Sequence, residues 1–246
     1  MAIYSSNLDE YFRVRVSQLR QIKRVEKSIR KKLSLRPNKI IKEILRRVKE
    51  QQNVFGKIFR EEIIPELKQN NIIVLNDKEY DEVQKQLADI WFETHVKQDV
   101  KPQIIDPAND TDLFLENQSL YFYVVFENTQ KVGIVNIPTE STSRFIELGN
   151  IKERHYITFI DDIIRHKIAT LFPTEKVDGI YSIKLSRDAE LYIDDELDGV
   201  LAERIYDSLH QRQEGQPTRL LYDANIPEQE AKRLRKLLKL GKIDMM

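Results

Sequence analysis

No cysteine occurs among the 246 residues, which excludes disulfides, thiolate metal sites and a cysteine nucleophile and fits a reducing compartment. Glycine is scarce too: the seven are isolated, and neither GxxxxGK[ST] nor GxGxxG appears, so there is no Gly-rich phosphate loop. No apolar run approaches the roughly 18–20 residues that a membrane helix needs. Met1-Ala2-Ile3-Tyr4 is too short for a signal peptide. A soluble, cytoplasmic protein is expected. Low-complexity sequence is missing as well, and 41% hydrophobic with 33% charged residues describes an ordered globular chain of one large or two smaller domains.

Net charge is zero but unevenly spread. Arg13 to Lys49 carries fifteen Lys or Arg against Glu26 and Glu43, whereas Lys184 to Asp198 carries six acids against two bases. The basic block suits either a polyanion, nucleic acid or polyphosphate, or two helices with solvated outer faces. No aromatic residues interleave with its charges to stack bases, which favours the solvated faces over nucleic acid.

Apolar residues at Leu8, Phe12, Val16, Leu19, Ile22, Ile29 and Leu33 predict one long amphipathic helix from about Leu8 to Leu33. After a break at Ser34-Leu35-Arg36, Pro37 suits the first turn of a second helix, with Ile41, Ile44, Leu45, Val48, Phe55, Ile58, Phe59 and Ile63 as its stripe. The short loop makes the two an antiparallel hairpin. Pro65 should end or kink the second helix, so the domains divide as 1–70, a helical N-terminal unit, and 71–246. In the second unit, Ile72 to Leu75 reads as a strand, and Asn76 or Asp77 caps a helix through Tyr80, Val83, Leu87, Ile90 and Trp91. Leu120 to Phe126, Val132 to Ile137 and Arg144 to Leu148 form an antiparallel meander. Helices at 159–171 and 196–211, strands at 179–185 and 218–222, and a helix from Pro227 to Leu240 capped by Gly241 complete the order. The expected fold is α+β: a long helical hairpin, then a domain with helices on one side of a mostly antiparallel sheet.

Ser5-Ser6-Asn7-Leu8-Asp9-Glu10-Tyr11-Phe12 is the densest signal. Ser6 or Asn7 can cap a helix whose first turn holds Asp9 and Glu10, but a cap alone does not require two serines, an asparagine and two acids together. SSNLDEY followed by FRVRVSQL resembles the N-terminal domain of the polyphosphate kinases that work through a phosphorylated histidine. SRFIEL at 143–148, FIDDIIRH at 159–166, LSRDAEL at 185–191 running into Asp194-Asp195-Glu196, and RLLYD at 219–223 resemble the same family's head domain, in the same order.

The resemblance implies an ATP–polyphosphate phosphotransferase, with ATP and Mg²⁺ needed by the complete enzyme and none held tightly by this part. It implies that Asn7 contacts ATP, that the head domain helps the protein self-associate, and that a further segment precedes the motif, so that the chain is truncated. The family's phosphate-accepting histidine and arginine clamp lie in later domains. No catalytic or metal-binding residue is therefore assigned, and the chain alone is expected to be inactive. With the preceding segment absent, Phe12, Val16, Phe55 and Phe59 should lie bare and favour a dimer. His166, four residues after Asp162, is expected as a surface histidine in an i,i+4 pair. His95, His155 and His210 have no partner at a ligand-like spacing, and Arg187-Asp188 reads either as an anchor for a partner or a phosphate or, slightly favoured, as a turn-end ion pair of small energetic worth. Asp194, Asp195, Glu196 and Asp198 read as an acidic helix start rather than a metal site. The alternatives to the enzyme reading are a self-association module and a polyanion- or nucleic-acid-binding hairpin without catalysis.

Overall fold

The computed structural model describes residues 2–24, 36–109, 113–151, 153–188, 217–241 and Met245. Helix α1 runs through Ala2–Tyr11, a π-helical turn Phe12–Val16, and Ser17–Arg24. Helix α2 runs through Pro37–Ile58, a second π-turn Phe59–Ile63, and Ile64–Gln69. Leu8, Phe12 and Val16 of α1 pack in one cluster with Val48, Ile44 and Leu45 of α2, and Tyr4 stacks on Phe55 at 5.4 Å. That order is the antiparallel hairpin; its connection, with the expected break at Ser34-Leu35, lies outside the described residues.

Two boundaries differ from expectation. Helix α1 begins at Ala2 rather than Leu8, because Tyr4 finds Phe55 and carries the helix back over the serines. Ser5, Ser6 and Asn7 thus lie inside a helix and cap nothing. Pro37 does sit at the helix start as predicted, but Pro65 does not stop α2. A proline removes one backbone bond and crowds the preceding turn; the wider π-turn just ahead of it accommodates both, and the helix continues to Gln69.

The rest is built on two sheets. Strands β1 (Ile72–Leu75), β5 (Phe145–Ile151) and β6 (Arg154–Phe159) form a mixed sheet in the order β1-β6-β5, with β1 parallel to β6. Strands β2 (Gln103–Ile105), β3 (Leu120–Phe126), β4 (Val132–Ile137), β7 (Val177–Arg187) and β8 (Pro217–Tyr222) form an antiparallel sheet, order β2-β4-β3-β7-β8. The expected meander therefore splits: β3 and β4 pair, but β5 leaves to join β6, a strand the sequence reading missed. A register shift between Glu147 and Asn150 marks a bulge in β5, where Gly149 takes φ 117°.

Helix α3 (Glu82–Trp91, continued by a π-turn Phe92–Val96), α4 (Ile160–Leu171) and α5 (Glu228–Leu237) cover the antiparallel sheet. The expectation that the helices share one side of the sheet is not met. Phe122, Val124 and Phe126 of β3 pack with α3 and α4, while Tyr121, Tyr123 and Val125 pack with Leu234 and Leu238 at α5. Being covered on both faces is why Leu120–Phe126 is a nearly unbroken apolar run. Gly133 on the neighbouring strand leaves room for the edge-on Phe126–Phe172 pair; a Cβ there would meet Phe172 at 2.7 Å.

Two caps also differ. Asn76 caps only a short 3₁₀ turn, Asp77–Glu79, and Asp81 opens α3 with a reciprocal Asp81–Gln84 box, which leaves Val83 and Ile90 exposed and buries Ala88 instead. Helix α5 is closed by Lys239 at φ 52°, with Leu240 N–H bonding Arg235 C=O, so Gly241 is not its cap. Helix α4 ends just before Pro173, as expected. The helix expected at 196–211 lies outside the described residues. Among those described, no helix is long and apolar enough to cross a membrane.

Candidate functional site

Helix α1 divides the N-terminal motif between two faces. Leu8, Asp9, Phe12, Val16 and Ser17 are buried; Ser5, Ser6, Asn7, Glu10 and Tyr11 are exposed. The buried face lies on the end of β7 and β8. Asp9 Oδ2 accepts from Lys184 Nζ at 2.7 Å, and Asp9 Oδ1 accepts from Arg219 Nη1 at 3.0 Å, with Ser186 Oγ at 3.4 Å. The Arg219 guanidinium also lies 4.8 Å from the centre of the Phe12 ring, so residues three apart on one helix hold it by charge and by π-face. Further along, Ser17 Oγ donates to Asp188. Phe12 and Val16, expected bare, are fully buried, because α2 packs over them and Arg219 of β8 covers the Phe12 ring; Phe55 and Phe59, also expected bare, are half-buried.

The π-turn is what lets both attachments share a face. Eight residues of regular α-helix would leave Ser17 about 80° round from Asp9. The π-turn between them winds the chain less per residue and removes most of that offset.

Burial pulls the Arg219 guanidinium below its ordinary value, and the Asp9 carboxylate works in the opposite direction. Burial likewise raises the Tyr4 hydroxyl. Asp9 with two cations is thus a buried cluster whose attraction works against desolvation. Such clusters fix geometry more surely than they add stability.

Asn7 is on the far side. It is exposed, and among the described residues its amide makes no side-chain hydrogen bond. Arg187 and Asp188, read from sequence as a superficial pair, are both buried. Arg187 donates from Nε to Leu115 C=O at 3.1 Å and from its backbone N–H to Asn117 Oδ1, and lies over the Phe114 ring at 4.4 Å.

The histidines bond to residues that sequence spacing did not show. His166 Nε2 is 3.3 Å from Asp89 Oδ1 on α3 rather than paired with Asp162, and Lys167 Nζ meets the same oxygen at 2.8 Å. His155 Nδ1 lies 2.9 Å from Glu147 across β5 and β6; His95 bonds Thr94 and packs on Trp91; His210 lies outside the described residues. On the basic face of α2, Arg46 pairs with Glu43 and Glu50, and Arg47 pairs with Glu43.

An open groove of about 700 Å³ lies elsewhere, lined by Asn76, Asp77, Lys78, Arg165, Tyr181 and Asp223 among others. Behind it, burial first and then the Asp77 and Asp161 charges raise the Asp162 carboxyl to about 6. Among the described residues, no three His, Asp or Glu gather as a metal-binding set. Asp194, Asp195, Glu196 and Asp198 lie outside them.

Sequence reasoning missed the Asp9–Lys184–Arg219 cluster. Its signal was present but weak: Asp9 and Phe12 share a helix face, and Lys184 and Ser186 form the polar half of an alternating strand.

Residues 1–75 match the polyphosphate kinase N-terminal domain and residues 83–246 match the polyphosphate kinase middle domain. The chain is 26% identical over 251 residues to the polyphosphate kinase of Escherichia coli K12 and 27% identical over 257 residues to that of Vibrio vulnificus YJ016, covering 99% and 100% of this chain. It spans 36% of the length of each of these curated relatives. The crystal structure of polyphosphate kinase from Porphyromonas gingivalis has the same fold, with a TM-score of 0.77 at 23% identity over 99% of this chain and 33% of that one. The chain belongs to the polyphosphate kinase family, in which it corresponds to the N-terminal and middle domains.

Proposed function

We propose that this chain forms the N-terminal and head portion of an enzyme that moves the terminal phosphoryl group of ATP onto polyphosphate, and that Asn7 contacts the ATP. The observation that carries this reading is the two-sided helix: Asp9 and Phe12 seat α1 on the sheet, and Asn7 is left exposed on a rigid scaffold. An amide offers a donor and an acceptor together, as a nucleotide edge requires. Phosphoryl transfer depends on alignment and charge clamping. This chain's part is alignment, since none of its described histidines stands with an arginine clamp. Mg²⁺ would accompany ATP in the complete enzyme; among the described residues of this chain no three His, Asp or Glu gather as a metal-binding set.

The same reading assigns the domain division near residue 70 and gives the 71–246 unit the oligomer contacts. Val83, Ile90 and Phe145 support this, because each leaves more than half of its surface exposed. A cytoplasmic location follows from ATP as substrate. The polyanion-binding alternative loses support from the acids that already hold Arg46 and Arg47.

The test is kinetic. In a full-length kinase carrying this segment, Asn7→Asp should leave Tm nearly unchanged and weaken ATP use at least tenfold, equivalent to about 1.4 kcal/mol. Unchanged ATP kinetics would remove Asn7 from the site. The 246-residue chain incubated with ATP and Mg²⁺ should form neither polyphosphate nor histidine-linked phosphate; finding either would overturn its assigned role.

A further inference from the structure

We infer that Asp9 is a positioning residue for nucleotide binding: by taking Lys184 and Arg219 it fixes the rotation of α1, and with it the direction in which Asn7 points. The inference rests on Asn7 being the ATP contact. Asn7 and Asp9 are two residues apart, about 200° round the helix, so a bond that turns Asp9 inward turns Asn7 outward. The apolar stripe of Leu8, Phe12 and Val16 packs α1 on Val48, Ile44 and Leu45 of α2, but apolar contact has no direction of its own. Direction comes from the charges. Both Asp9 oxygens are occupied, by cations from two different strands, and the carboxylate is only 10% exposed. A rotation of α1 by one residue would take both bonds apart and leave Arg219, 4% exposed, with its charge uncompensated.

Lys184 and Ser186 alternate along β7 with Ser182, which receives Arg165 of α4. The helix that would present Asn7 therefore stands on the same sheet face as α3 and α4, opposite α5, and Asp9 ties it to β7 and β8 there.

The experiment measures KM for ATP and kcat for polyphosphate synthesis in a full-length kinase carrying this segment. Asp9→Asn, which keeps size and removes charge, should raise KM at least fivefold while kcat falls less than twofold. Asp9→Glu, with the charge restored on a longer stem, should recover at least half of that change. In an Asn7→Ala background the Asp9→Asn effect on KM should disappear, because the group being positioned is gone; a merely structural role would persist there. If Asp9→Asn fails to fold, Lys184→Met gives the same readout from the more exposed partner. KM unchanged in the folded variant, or an Asp9 effect undiminished without Asn7, overturns the inference and leaves the ATP role of Asn7 standing. KM unchanged in Asn7→Ala itself removes that role first, and the inference falls with it.

Discussion

Two clusters of paired charge sit on the helical hairpin and have little in common beyond their chemistry. On α2, Glu43, Arg46, Arg47 and Glu50 make short contacts along about two turns, all of them exposed. Beneath α1, Asp9 makes contacts of similar length to Lys184 and Arg219, but these reach 175 and 210 residues along the chain, the first partly and the second fully buried. Water and salt screen the first cluster, and its members repeat what the helix already provides. The second cannot be screened, and it joins elements that local sequence would not bring together. Equal distances do not mean equal consequence; burial and sequence separation decide which pair organises the molecule.

Removing the buried acid should have the largest effect. Asp9→Ala leaves two cations without their shared partner, and about 3 kcal/mol or more of stability should be lost in thermal unfolding. That is on the order of 10 °C in Tm for a chain of this size. A loss below about 1 kcal/mol would place Asp9 with the surface pairs.

Asp162 sharpens the comparison from the other side, being a partly buried acid whose neighbours include Asp77 and Asp161. Its folded-state value, raised to about 6, lies above the 3.8 of the free carboxyl. The ionised form is thus penalised in the folded protein above pH 6, and the penalty is relieved as pH falls from 6 toward 4. Asp162→Asn should therefore stabilise the chain at pH 7 by about 1 kcal/mol, discounted for its partial exposure, with the gain fading by pH 4. A variant equally stabilised at both pH values would contradict the assignment.

Asn7→Ala should change stability by about 0.5 kcal/mol or less, in the favourable direction, because alanine is the better helix former in an exposed helix interior. A loss of 1 kcal/mol or more in denaturant unfolding would restore Asn7 to the role of a cap. The smallest effect belongs to Glu43→Gln. Arg46 and Arg47 hold the Glu43 carboxyl down to about 2, so its pairing is present above pH 4.5 and lost as pH falls toward 2. Full exposure leaves that pairing too screened to matter, and Tm at pH 7 should not move measurably. A clear fall in Tm would promote the surface cluster.

What could be read from the sequence follows the same division. Periodicity found the hairpin, both strands of the β3–β4 pair, and α4 to within a residue, since each is specified by neighbours in sequence. The motif and its family were legible because SSNLDEY is rare as a cap. Strand β6 was not: it follows β5 directly, but the two lie in a separate sheet with β6 between β5 and β1, and β1 is more than 80 residues earlier. Covering both faces of the central sheet was hidden too: Leu120–Phe126 shows burial but not by what. Asp9 was read as a first-turn acid, a local role, when its actual partners are strand residues at the other end of the chain.

A double-mutant cycle on Asp9 and Arg219, with Asp9→Asn, Arg219→Met and both together in equilibrium unfolding of this chain, measures whether this pair holds α1 to the sheet. The buried link predicts a coupling energy of about 2 kcal/mol between the two sites. Additivity to within about 0.5 kcal/mol would mean that α1 rests on the sheet by apolar contact alone, and the account of how the motif is held would be wrong.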